Sequence, residues 1–222
     1  MKVAILIVAA GRGRRFGDPL PKQYLPVAGI CALRRCLDTF LGMVNVGTVQ
    51  VVIHSDDADL YAGAVAGVFD PRLNQPVAGA ETRAKSVMRG LLALQDAAPD
   101  VVLVHDAARP FVTERIVADV LTALEHADGA FAALPVVDAL WQAEDGLALT
   151  PVARDGLWRA QTPQGFRFQA LLDAHRTYQG DAADDVEIAR AMGIDVRIVH
   201  GDTANFKITT PEDLARAERF LR

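Results

Sequence analysis

The chain has 222 residues, 51% of them hydrophobic, enough for one sizeable core and a single domain over 1–222. Its formal charge of −5 argues against a general nucleic-acid surface, so any basic cluster needs a local reason. No apolar run approaches the roughly 20 residues of a membrane span, and no signal peptide stands before the first strand, so a cytoplasmic protein is expected.

The first element is the apolar run Val3-Ala4-Ile5-Leu6-Ile7-Val8, which reads as a fully buried strand. Directly after it comes AAGRGRRFGDPLPKQY, Ala9 to Tyr24. Gly11 and Gly13 let the backbone turn sharply and come close to a ligand. Arg12, Arg14, Arg15 and, one loop later, Lys22 surround them with positive charge. Cations and flexible backbone at a strand end suit a polyanion, above all a nucleoside triphosphate. The loop lacks the Gly-Lys-Ser/Thr of a Walker loop, and Phe16 stands where the dinucleotide fingerprint needs a third glycine. A Gly-Arg-Gly turn is also compatible with a merely solvated basic turn. Pro21-Lys22-Gln23-Tyr24 tips the balance, because a proline-fixed lysine can reach the same phosphates as a point charge.

A helix is predicted over 30–41. Cys31 and Cys36 point to different faces of it and form neither a disulfide nor a zinc spacing, as expected in a reducing compartment. A strand follows over 48–53, then a helix over 56–68 whose Asp57-Ala58-Asp59 reads as acidic capping rather than a glycosyltransferase metal motif. A loop over 74–80 leads to a helix over 82–94 with Thr82 as N-cap. Val101 to Val104 is another buried strand, ending in His105-Asp106-Ala107-Ala108-Arg109-Pro110. Asp106 could orient a metal or a hydroxyl while Arg109 forks onto a phosphate, or the two could form an internal ion pair. Thr113 caps a helix to about 125, and 129–134 is a strand.

The segment 136–158 has no helical period. Asp145-Gly146 marks a hairpin between Val137–Trp141 and Leu147–Leu149. A two-stranded ribbon is marginal alone, so this arm is expected to pack on a second subunit, the alternative being its own domain. Helices over 168–178 and 184–192, a strand over 196–199 and a helix opened by Pro211 complete the chain. Alternating strands and helices give an α/β fold, a mostly parallel sheet flanked by helices, with ligands at the strand carboxyl ends. Asn205-Phe206-Lys207 reads as a lone lysine in a short strand.

No nucleophile elbow is present, and the five histidines lack metal spacing. A phosphate acceptor needs no general base, since its second pKa of about 6 leaves it mostly dianionic. Catalysis then rests on holding two anions together with arginines, lysines and Mg²⁺.

AAGRGRR, PKQY, HDAARPF, ARDGLWRAQTPQ and DTANFKITTPEDL, in this order, resemble the motif series of the methylerythritol phosphate cytidylyltransferases. The resemblance covers nearly the whole chain. It implies a Rossmann-like nucleotidyltransferase fold, CTP and a sugar-alcohol phosphate as substrates, Mg²⁺ as cofactor, and a homodimer with interlocking arms. It also implies roles. Ala9, Ala10, Gly11 and Gly13 would wrap the nucleotide. Arg15, Lys22 and Lys207 would serve catalysis on the phosphates, leaving Arg12 and Arg14 as weaker candidates. Ala80, Glu81 and Ser86 fall where the family reads base and ribose. Asp106 would meet nucleotide, acceptor and Mg²⁺. Arg109, Thr162 and the partner-reaching Arg154 would bind the acceptor.

Familiar members carry Gly-Asp at Ala80-Glu81 and threonine at Ala139 and Asp184. The stretches around those last two look more like the cytidylyltransferase half of bifunctional members. Rival readings are a ribitol 5-phosphate cytidylyltransferase, a non-catalytic nucleotide-binding protein and a glycosyltransferase.

Overall fold

The structure, a computed structural model, describes residues 1–12, 16 and 20–221. In chain order its strands are β1 (Val3–Ala9), β2 (Pro26–Val27), β3 (Ile30–Cys31), β4 (Val46–Ile53), β5 (Val77–Ala78), β6 (Val101–Asp106), β7 (Gly129–Pro135), β8 (Leu140–Glu144), β9 (Leu147–Val152), β10 (Trp158–Arg167) and β11 (Val196–His200). The α-helices are α1 (Ala32–Gly42), α2 (Ala58–Ala64), α3 (Arg83–Ala93), α4 (Glu114–Ala123), α5 (Phe168–Thr177), α6 (Asp185–Ala191) and α7 (Pro211–Phe220).

Seven strands form one sheet in the order β11-β7-β10-β6-β1-β4-β5. All neighbours run parallel except β10, which is antiparallel to both β6 and β7. The central strands are apolar on both sides because helices cover both faces. Ile5, Ile7, Val51, Val101 and Leu103 share one core with Leu37 and Phe40 of α1 and with Val117 and Val120 of α4. Their alternates Ala4, Leu6, Val52, Val102 and Val104 share the other core with Val87 and Leu91 of α3 and with Leu171 and Leu172 of α5. This period-two division is what a pleated strand imposes.

Register brings three strand ends level. Val8 lies opposite both Val52 and Asp106, and Ala9 lies opposite Ile53. The carboxyl ends of β1, β4 and β6 therefore open into one crevice.

The helix caps follow the sequence. The Thr82 and Thr113 hydroxyls accept from the backbone N–H groups of Lys85 and Ile116. Thr210 and Asp213 form a capping box with Pro211 inside it. Some elements differ from expectation. Ile30 and Cys31 pair with β2 before α1 begins. The helix expected over 56–68 is a 3₁₀ turn, Ser55–Asp57, followed by the shorter α2. The loop over 74–80 contains β5. Lys207 lies outside any strand, in a segment held by a bond from Ile208 N–H to the Ala108 carbonyl.

The larger omission is β10. Its sequence WRAQTPQGFR is polar and interrupted by Pro163, which argues against a central strand. The structure accommodates it with a register shift between Ala160 and Gln164. The hairpin is present. Asp145 and Gly146 both take positive φ, +49° and +81°, as a two-residue turn of this kind requires. The ribbon β8–β9 stands outside the main sheet with Trp141, Leu147 and Leu149 exposed.

Candidate active site

The crevice at the strand ends is a cleft of about 680 Å³. One wall is the turn after β1, Ala9 to Arg12. Gln23 pins it: the buried side-chain amide donates to the carbonyls of Ala9 (2.6 Å) and Gly11 (3.1 Å). The same 3₁₀ turn, Lys22–Tyr24, carries Lys22 to the cleft. The opposite wall is the segment entering α3. Ser86 Oγ accepts from Ala80 N–H (2.9 Å) and donates to the Thr82 carbonyl (2.9 Å), which fixes the Ala80–Thr82 turn. Glu81 is exposed and paired with Lys85 at 3.4 Å.

Asp106 forms the floor. Its Oδ2 accepts from Lys207 Nζ at 2.8 Å, and its Oδ1 faces Arg83 Nε at 3.4 Å. Burial alone would raise this carboxyl's pKa, but Lys207, Arg83 and Arg109 outweigh it and hold the group far below the usual carboxylate range. Asp106 is thus a fixed negative charge amid cations.

Behind it lies a second layer. Asp106 N–H donates to Thr162 Oγ1 (3.1 Å), and Thr162 Oγ1 bonds His105 Nδ1 (3.0 Å). His105 Nε2 lies 3.0 Å from the Arg109 carbonyl, which can only accept. This network assigns the proton to Nε2 and leaves Nδ1 as the acceptor of the Thr162 hydroxyl. Burial pushes the His105 pKa down to about 4, so the ring is neutral.

The cleft therefore gathers Ala9, Ala10, Gly11, Lys22, Ala80, Glu81, Ser86, Asp106 and Lys207 from the predicted site. Gly13 and Arg15, like Arg14, lie outside the described residues. Arg109 and Thr162 do not line the cleft. Arg109 donates to the carbonyls of Asn205 (2.9 Å) and Ala160 (3.3 Å), and its Nε is 3.9 Å from Asp106. The internal Asp106–Arg109 ion pair is therefore present at this looser distance, and Arg109 in addition clamps two chain segments. Arg154 sits on the arm, where it donates to the Val137 carbonyl. Asp57, read as a cap, makes no capping bond. Its buried carboxylate instead accepts from Arg12 at 2.8 Å, and Asp56 pairs with the same guanidinium.

A family profile for 2-C-methyl-D-erythritol 4-phosphate cytidylyltransferase (IspD) matches residues 3–222. The chain belongs to this family. It is 48% identical over 221 residues to the 2-C-methyl-D-erythritol 4-phosphate cytidylyltransferase of a Cereibacter sphaeroides strain, covering 100% of this chain and 97% of that one. It is also 48% identical to the bifunctional enzyme IspD/IspF of Rhodobacter capsulatus, of which the match spans 56%. The crystal structure of the cytidylyltransferase from Thermus thermophilus superposes with a TM-score of 0.80 at 35% identity, both chains covered in full. Family membership fits the nucleotidyltransferase reading of the fold.

Three residues at or behind the site escape the sequence reading: Gln23, Arg83 and Asp185. Gln23 figures there only as part of PKQY. Arg83 had a readable signal, for a cation in a helix's first turn opposes the macrodipole and needs a nearby anion.

Proposed function

We infer that this chain is a 2-C-methyl-D-erythritol 4-phosphate cytidylyltransferase that transfers CMP from CTP to the acceptor phosphate. The observation that carries the reading is the single cleft in which Lys22, Lys207 and the exposed turn after β1 face a floor of Asp106 and Arg83. An acceptor phosphate oxygen attacks the α-phosphorus of CTP, the α–β bridging bond breaks, and pyrophosphate leaves. No proton has to be removed from the nucleophile. The chain's task is to bring two anions together and to stabilise charge on the five-coordinate phosphorus.

Lys22 and Lys207 supply that charge as compact donors, joined by Arg15. Ala9, Ala10, Gly11 and Gly13 offer backbone to the nucleotide. Ala80, Glu81 and Ser86 form its base and ribose wall. Asp106 accepts from a ribose hydroxyl on the nucleotide side. Thr162 acts from behind, by holding Asp106 and His105. Arg109 serves the acceptor end through the segments it clamps.

Mg²⁺, when bound, neutralises phosphate charge. Among the described residues no group of three His, Cys, Asp or Glu side chains could hold a metal. The residues present fit an ion carried by the phosphates, with Asp106 adding one oxygen at most.

The exposed apolar face of β8–β9 suits a second copy of the chain, which would carry Arg154 to the neighbour's acceptor site. Among the described residues no helix is long and apolar enough to cross a membrane.

Lys22→Ala tests the reading. Pyrophosphate release from CTP and the acceptor should fall by about 10²- to 10³-fold, the range for removing one transition-state donor. CTP binding by calorimetry should survive. Undiminished turnover would refute the assignment, and turnover with ribitol 5-phosphate alone would redirect it.

A further inference from the structure

A chain of closely spaced ionisable side chains runs from the helices behind the sheet to the cleft. His175 on α5 lies with Nε2 3.0 Å from Asp185 Oδ1, both side chains almost wholly buried. Asp185, in the first turn of α6, sets Oδ2 2.8 Å from Arg83 Nη1. Arg83 reaches Asp106 at 3.4 Å, and Asp106 reaches Lys207 at 2.8 Å. β10 holds the far end in place, because Gln164 Oε1 accepts from Asp185 N–H at 3.0 Å and its amide donates to Asp184 at 2.9 Å.

We propose that Asp185, backed by His175, is a positioning residue that holds Arg83 partly off Asp106 and so keeps Asp106 engaged with Lys207. The inference rests on the cytidylyltransferase reading of the cleft. Arg83 stands between two buried carboxylates and sits closer to Asp185, 2.8 Å against 3.4 Å. Its Nη2 is buried and has no hydrogen-bond partner among the described residues. A guanidinium left with an unpartnered N–H is not oriented by its own satisfaction. Its orientation comes from the two carboxylates. Without the Asp185 charge, the fork would close onto Asp106 as a bidentate pair, the stronger geometry. The carboxylate would turn from Lys207, and the lysine would lose its fixed place over the phosphates. Misplacement of this size reaches the chemistry from a residue that never touches substrate.

The test is a double-mutant cycle on steady-state pyrophosphate release, using Asp185→Asn, Arg83→Gln and the two combined. Asp185→Asn should lower kcat/KM by about 10- to 100-fold, as small displacements of catalytic groups do. Adding Asp185→Asn to Arg83→Gln should cost nothing further. A further loss in the combined variant, equal to that of Asp185→Asn alone, would overturn the proposal, because Asp185 would then act independently of Arg83. Should Asp185→Asn fail to fold, the combined variant leaves no orphaned charge and is compared directly with Arg83→Gln. Equal kcat/KM supports the proposal, and a further drop overturns it. Asp185→Glu should restore part of the turnover lost in Asp185→Asn. A purely structural role would lower thermal stability in both backgrounds without producing that equality. Wild-type protein inactive on CTP and the acceptor would overturn the reading of the function, and this inference with it. Active wild-type protein with independent effects would overturn this inference alone.

Discussion

His105 shows how a residue can matter to a site without lining it. The ring is fully buried, and both nitrogens are used, one toward Thr162 and one toward the Arg109 carbonyl. Protonation would put a hydrogen on Nδ1, where the Thr162 hydroxyl already donates, and would add charge beside Arg109 and Lys207. Burial of the ring above all, and then these cations, make the folded chain resist it, and the pKa falls from 6.5 to about 4. The sign follows directly. Below pH 6.5 the unfolded chain takes up a proton that the folded chain refuses, so stability is lost as pH drops toward 4. Between pH 7 and pH 5 this single group should remove about 2 kcal/mol. In urea titrations, wild type should lose that much relative to His105→Gln, whose side chain does not titrate. Parallel stability profiles for the two would exclude the idea. HDAARP was legible as a site motif because its chemistry is local. The Arg83–Asp185 pair was not, because two residues so far apart in the chain meet only after α3 and α6 pack behind the sheet.

At the scale of elements, the cleft depends on how closely the ends of β1 and β5 approach each other. Gly79 follows β5, and its N–H bonds to the Ile53 carbonyl at 2.7 Å. A Cβ there would stand 2.5 Å from the Ala10 methyl and 2.9 Å from Ser86 Oγ. Ala10 has no rotamer with which to yield, so the backbone would have to move. Overpacking of this kind costs about 1–3 kcal/mol. Because the displaced groups are the two walls of the nucleotide cleft, Gly79→Ala should raise the KM for CTP about tenfold, the equivalent of ~1.4 kcal/mol. An unchanged KM would show that the walls adapt. Element by element, apolar strands and capped helices were readable because period and cap chemistry are local. β10 was hidden for the converse reason. Gln161, Thr162 and Gln164 are buried polar side chains whose partners lie on other elements, so the strand carries no apolar signal.

At the scale of the whole molecule, the arm raises a question that one chain cannot answer alone. Within its own chain the Arg154 guanidinium bonds only the arm's Val137 carbonyl among the described residues, and Arg154 does not line the cleft. The arm also exposes Trp141 at 57% and Leu149 at 54%, an apolar ribbon that water does not favour. Both observations make sense together if two chains exchange arms, so that each site combines its own Lys22 with the partner's Arg154. A closed two-fold arrangement makes the two sites equivalent. That composition has a distinctive consequence. Lys22→Ala and Arg154→Ala chains should each be nearly inactive as homodimers. Mixed and allowed to exchange, half of the dimers become hybrids, and each hybrid holds one intact site made from the Lys22 of one chain and the Arg154 of the other. The other site in the hybrid carries both changes. Pyrophosphate release should therefore recover to about a quarter of the wild-type rate per chain, as random pairing of two equally abundant chains requires. Recovery should vanish when Leu149→Glu is added to both chains, since the exposed apolar face would then carry charge, and sedimentation should show monomers. Mixtures without recovery, despite verified exchange, would place Arg154 in its own chain's chemistry or outside the reaction altogether.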